Sequence, residues 1–396
     1  AIMAVKVPPT AVNLRRIINL ASVIQSHALS FFYLSSPDFL LGLESDPAKR
    51  SIFGLMQSHP EIAKDGVRLR SFGQKVIEWM AGKRLHPNWI VPGGVSSPLP
   101  EEVRQRILDE IPEMKALIRR NLDWFKRAMD DYDDEIRTFA NFPTLFMGMV
   151  DDAGNLDLYD GRLRIMDERG QMLVDGFEPS LYRDYIGEAV EPWTFMKFPY
   201  YKDMGYPEGI YRVGPLARLN VIEACGTPLA DQELTEFRQL DRHMVLSSFY
   251  FHYARLIECL YGVERMEELL DDPDITHTRI RAHAGPNAST GKGVTEAPRG
   301  TLIHHYRVDQ QGRVTWANLV VATTHNNLAM NRGVQQVAHR YVDGANLTEG
   351  MLNRVEAVIR TFDPCLSCST HAQNQLALHV QLVGPDGGIL DEKWRD

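Results

Sequence analysis

The sequence predicts a mainly α, multi-domain α+β protein with small antiparallel sheets inserted among the helices. Two observations carry that prediction. Long tracts place apolar residues at helical spacing, and two other tracts split short apolar runs with Asp, Gly and Asn turns. No internal repeat or low-complexity tract interrupts this pattern.

Residues 10–82 read as helices. Val12, Leu14, Ile17, Ile18, Leu20, Ile24 and Leu29 recur at helical spacing, and "RSFGQKVIEWMAG" is a second amphipathic stretch stopping at Gly82. The Pro- and Gly-rich "LHPNWIVPGGVSSPLP" is a loop. Its Ser-Ser-Pro and two glutamates signal a helix from about Glu101 to Ile136, with Pro112 as a break or kink. From Asn141, turns at Asp-Ala-Gly-Asn, Tyr-Asp-Gly and Glu-Arg-Gly mark a β-meander. Residues 217–272 return to helix. "GTLIHHYRVDQQGRVTWANLVVAT" reads as a hairpin around Gln-Gln-Gly, followed by helices from about Asn326 to Ala338 and from about Thr348 to Arg360. A last hairpin turns at Pro-Asp-Gly-Gly. The expected organisation is a helical region at 1–138, a β-meander-rich insertion at 139–215, a helical core at 216–290, an α+β region at 291–371 and an extension at 372–396.

The 396 residues, 44% hydrophobic and 24% charged, allow a substantial core. A formal charge of −9 without a basic run argues against nucleic acid. The most apolar windows are broken by Ser, Pro and Asp, so no membrane insertion is expected. No signal peptide is visible, and the start, without Met and already near a helical pattern, reads as a cut end. Four cysteines are too few for a disulfide framework and fit a reducing, cytoplasmic setting.

Two of the four form the stretch "DPCLSCSTH", residues 363–371. Asp363 reads as an N-cap and Pro364 as a first helical residue, which puts Cys365 and Cys368 on one face near a helix start. There the dipole favours thiolate, the metal-binding form, and His371 continues the face. Zinc would need a second ligand pair, and Cys225 and Cys259 are isolated in helical patterns that suit packing. A thioredoxin-like pair would follow a strand, yet a helix precedes this one. A third reading is a metal cluster completed from elsewhere; soft thiolates suit zinc, nickel or iron.

Here the chain resembles the large subunit of nickel-iron hydrogenases. "DPCLSC" with His371 resembles that family's carboxyl-terminal nickel motif, "GKGVTEAPRGTLIHHY" its arginine loop, and "LVVATTHNN" the segment beside the iron's diatomic ligands. "HPNWIVPGGV" and "HALSFFYLSSPDF" match its amino-terminal half. "EAVEP", "YRVGPLARLN" and "NNLAMNRGV" look most like the soluble, bidirectional NAD-reducing group. The resemblance implies a hydrogenase-like helical core and a nickel-iron centre with carbon monoxide and cyanide on iron. Cys365 would be a terminal nickel ligand and Cys368 a bridge between the metals. Arg299 would hang over them as a base or polarising group, oriented by Asp38 and Asp363, with Pro298 closing the pocket. Thr323 or Thr324 would donate to a cyanide, and His371 would bind magnesium.

The implied activity is reversible heterolytic cleavage of dihydrogen. Electrons would leave through an iron-sulfur small subunit to a flavin-containing diaphorase that reduces NAD, with iron-sulfur clusters and flavin confined to those partners. A deazaflavin-linked or heterodisulfide-linked hydrogenase is the first alternative. A metal-free quinone-site subunit related to respiratory complex I is the second, and a non-catalytic paralogue the third. The family's amino-terminal CxxC and proton-relaying glutamate have no counterpart here, so the chain is expected to be a fragment that would not hold the full cluster alone. By the resemblance, the residues after His371 imply an uncleaved precursor, or a sequence read from the gene, on which a maturation protease and nickel chaperones would act. His27 and His86 read as hydrogen-bonded structural residues. Of His304 and His305, one is expected to pack and one to face out.

Overall fold

The computed structural model describes residues 1–344, 346–369 and 378–395. Its centre is a set of helices, Pro9–Ala28, Pro60–Ala81, Glu101–Ala128 and Phe251–Asp271, sharing one hydrophobic core. The first of these buries Leu14, Ile17 and Ile24 completely. It packs closely on Pro60–Ala81 at Gly73, where a Cβ would lie 2.6 Å from the Ala21 carbonyl oxygen, so only glycine permits the approach. In Phe251–Asp271 every residue from Phe251 to Glu264 is buried, the charged Arg255 and Glu258 included. The helical run Pro9–Leu41 has the length and apolarity of a membrane span, but two thirds of its most apolar stretch is buried among these neighbours.

Pro112 lies inside Glu101–Ala128 without ending it, and the helix stops eight residues earlier than the expected Ile136. After Ala28 the chain widens into a π-helical segment, Leu29–Ser35, before the short helix Ser36–Leu41. The tract 217–272 holds the helices Pro228–Arg238 and Phe251–Asp271, preceded by the end of Pro215–Val221.

A four-stranded sheet includes the expected meander, Leu145–Val150, Arg162–Met166 and Met172–Phe177, joined in parallel by Tyr211–Arg212. The hairpin Gly300–Val308 and Val314–Val320 is likewise extended, by Thr290–Ala297, into an antiparallel three-stranded sheet. That third strand carries little apolar periodicity, so its sequence gives no strand signal. The two sheets share a second core around Leu163, Ile165, Tyr211, Ile303 and Val320. Helices Asn327–Tyr341 and Glu349–Phe362 follow, then the short helix Leu366–Ser369 and a terminal hairpin, Leu378–Val383 with Ile389–Arg395.

Candidate metal centre

Five sequence segments converge where Glu349–Phe362 ends. Asp363 takes a left-handed conformation (φ 52°) as the C-cap of that helix, rather than capping the next one. The N-cap expectation failed because Asp is among the few residues that tolerate this region, and the helix arriving from Phe362 claims it first. The following helix starts only at Leu366, so Cys365 sits just ahead of it and Cys368 within it. The two sulfurs lie side by side, joined as a disulfide, with Cα atoms 5.4 Å apart. Cys365 is half-buried and Cys368 exposed. His371 lies outside the described residues.

Arg299 reaches this turn from the loop between two strands. Its Nη2 donates to Asp363 Oδ1 at 3.1 Å, and its Nε donates to the Asp363 carbonyl. Its Nη1 reaches Ser26 Oγ at 3.4 Å. Burial pushes the Asp363 carboxyl upward, against the pull of Arg255 and Arg299. Thr323 Oγ1 accepts from the Cys365 backbone N–H at 2.9 Å. Of the adjacent pair, Thr323 is thus the one tied to the cysteine turn; Thr324 is buried beside it.

Asp38 does not join Arg299. Its carboxylate takes Nε and Nη2 of Arg360 at 3.1 and 2.9 Å, Asn353 at 3.1 Å and Arg50 at 3.3 Å. The reason is local. Asn353 and Arg360 stand two turns apart on one face of Glu349–Phe362, and Ser36–Leu41 turns Asp38 onto that face. Asp38 therefore locks the helix that leads into the cysteines.

Sequence reasoning missed the structure beneath Pro298 and Arg299. Arg218 is fully buried and forks onto Glu258 with two bonds of 2.6 Å. It also meets Glu296 at 2.7 Å and donates to the carbonyls of Ala297 and Pro298. His27 Nε2 bonds Glu258 at 2.8 Å, and Thr301 donates to Glu296 at 2.7 Å. Arg218 holds Glu258 down, to about 2, while burial pushes His27 down, to about 4, and keeps it neutral. The signal was available: Arg255 and Glu258 are charges inside the apolar "FHYARLIECLYG". Arg255, also buried, donates to the Thr361 carbonyl two residues before Asp363.

Glycines fix the loop from the other side. Gly300 has φ 131°, and a Cβ there would lie 2.2 Å from Val213 Cγ2. Gly214 has φ 94°, with a would-be Cβ 2.8 Å from the Arg299 carbonyl oxygen. Asn326 accepts from the Val213 N–H at 2.9 Å, which ties the threonine segment to the same point. Cys225 and Cys259 are buried packing residues. His305 is buried and bonded to Tyr182, whereas His304 is half-buried beside Tyr306.

Among the described residues no three His, Cys, Asp or Glu side chains are placed to hold a metal. The donor set at the turn is two cysteines, a fit to half of a thiolate cage.

The turn carries paired cysteines faced by an arginine held on an aspartate, and the family of the chain follows from comparison. The model of the nickel-dependent hydrogenases matches residues 163–371, and the chain belongs to that family. It is 41% identical over 401 residues to the beta chain of the NAD-reducing hydrogenase HoxS of Cupriavidus necator, covering 99% of this chain and 82% of that one. It is also 41% identical over 338 residues to a component of the vhu F420-non-reducing hydrogenase of Methanocaldococcus jannaschii, covering 85% of this chain and 80% of that one. An H2-reduced crystal structure of an NAD+-reducing [NiFe]-hydrogenase superposes with a TM-score of 0.90 at 42% identity, over 93% of this chain and 82% of that one.

Proposed function

We propose that this chain is the catalytic large subunit of a cytoplasmic, NAD-linked nickel-iron hydrogenase. The observation that carries this reading is the single turn in which Asp363 holds Arg299 and Thr323 holds Cys365. Cys365 and Cys368 would supply two of the thiolates of a nickel-iron centre, with carbon monoxide and cyanide on iron and magnesium near His371. That centre, when bound, supplies heterolytic splitting of dihydrogen.

The chain's own residues then handle position and protons. Asp363 presents the Arg299 guanidinium, whose outer Nη edge can polarise a small molecule and favours the thiolate form of a neighbouring cysteine. Gly214 and Gly300 let the Arg299 backbone pass close to Val213, and Pro298 would close the pocket. Thr323 fixes the Cys365 backbone, and Asp38 anchors the incoming helix through Arg360. Electrons would pass to an iron-sulfur small subunit and on to a diaphorase, with a maturation protease and nickel chaperones acting earlier.

The test is Arg299→Lys in the assembled enzyme. Lysine keeps the charge but loses the fork, so nickel content should stay at the parental level while dihydrogen uptake falls by about 100-fold or more. Near-parental rates would remove Arg299 from the reaction.

A further inference from the structure

The three-stranded sheet has an outer edge to which no described strand pairs. Val314–Val320 is hydrogen-bonded on one side only, to Gly300–Val308. Its sequence, "VTWANLV", holds no charge and no proline. Val314 and Leu319 are 60% and 44% exposed. Proteins protect such edges with charges, prolines or a cover, because an unpaired apolar strand invites another chain. This strand has one such device, a bulge at Thr315 where the pairing shifts from Trp316 to Val314, but no charge, proline or described strand partner on its outer side.

Cations gather around Trp316 on one face of the strand. Trp316 lies between two guanidiniums, Arg183 at 4.9 Å and Arg307 at 5.0 Å from its ring centre. Lys292 pairs across the sheet with His305, whose ring packs edge-on to Trp316 at 4.9 Å. Arg183, Lys292 and Arg307 form no ion pair with any described residue. Lys292 and the nearby Lys202 donate only to the carbonyls of Ser180 and Arg183. The acid on this face, Glu188, is at the far end, engaged by Lys197 and Asn318. In a chain of formal charge −9, such uncompensated cations mark a surface made for a negative partner.

We propose that Val314–Val320 receives an extended acidic segment of a partner subunit by strand addition, with that segment's carboxylates paired to Arg183, Arg307 and Lys292. Main-chain bonds to the edge would give affinity, and the arginines flanking Trp316 would give sign and register. Val320 runs two residues on into the helix Ala322–His325, so the docking strand is covalently continuous with Thr323. The inference rests on the reading that this chain works in a multi-subunit NAD-reducing hydrogenase.

The experiment uses the whole enzyme purified with its iron-sulfur and diaphorase subunits. A photo-crosslinking amino acid is placed at the exposed Leu319, and separately Arg183→Glu and Arg307→Glu are combined. The expected result is a cross-link into an Asp- and Glu-rich stretch of a partner subunit. Recovery of that subunit with the double variant should drop at least ten-fold at about 0.15 M salt, with nickel content unchanged. A cross-link only to a second copy of this chain, or to no subunit, would overturn the proposal, as would undiminished recovery of the double variant. Loss of nickel from the parental enzyme would instead strike at the hydrogenase reading, so the two failures are distinguishable.

Discussion

Replacing Glu258 by Gln should destabilise the protein by about 3 kcal/mol, and the figure follows from the buried cluster. Glu258 is completely buried and accepts two bonds from Arg218 and one from His27. Its carboxyl lies at about 2 instead of 4.5 because Arg218 favours the charged form more strongly than burial opposes it. At about 1.36 kcal/mol per pH unit, that difference corresponds to about 3 kcal/mol, within the range of about 3–5 kcal/mol for breaking a buried pair. Glutamine keeps the shape but turns an NH2 group toward a guanidinium and leaves half of Arg218 unpaired. With about 2.1 cal/mol/K of unfolding entropy per residue, the 396-residue chain should melt about 4 °C lower. The assay is thermal and urea unfolding of parent and variant between pH 7 and pH 3. A depressed carboxyl contributes stability above its unfolded value and loses it as pH falls toward its folded one. The gap between parent and variant should therefore be full above pH 4.5 and shrink toward pH 2. A melting change under about 1 °C, or a gap that ignores pH, would refute the assignment of Glu258 as the charged partner of Arg218.

Two further outcomes follow from the same region. Gly300→Ala, forced into a left-handed φ against Val213, should cost at least about 2 kcal/mol and lower dihydrogen uptake by displacing Arg299; unchanged melting would show that the loop gives way freely. His27 and His325 are buried and neutral, pushed by burial to about 4 and about 3. The unfolded chain takes up protons at these sites near pH 6.5 and the folded chain does not, so stability should be complete above pH 6.5 and fall as the pH drops toward 4. Urea midpoints that stay flat from pH 7 to 4 would contradict this.

Periodicity made the helices legible because their apolar faces are continuous; Glu349–Phe362 begins and ends within two residues of expectation. The edge-forming Thr290–Ala297 was not legible, since its side chains are small or polar and its partner supplies the order. Arg299, Asp363 and Thr323 were legible from motif resemblance, and the structure brings them to one turn. The resemblance also assigned Asp38 to Arg299. Which arginine a carboxylate meets depends on helix rotation after the π-helical segment, and there Arg360 is nearer to hand. The cluster of Arg218, Glu258 and Glu296 was invisible to motif reasoning because its members lie up to 78 residues apart, though charges within an apolar helix were its trace.

The central claim is that Cys365 and Cys368 hold metal for dihydrogen chemistry. It is tested most directly by nickel and iron analysis of the enzyme purified with its partner subunits, comparing the parent with Cys368→Ser. The account predicts nickel bound to the parent and lost from the variant together with dihydrogen uptake, while the fold, read by circular dichroism, is kept. Parental nickel content in the variant, or zinc in place of nickel in the active parent, would contradict it.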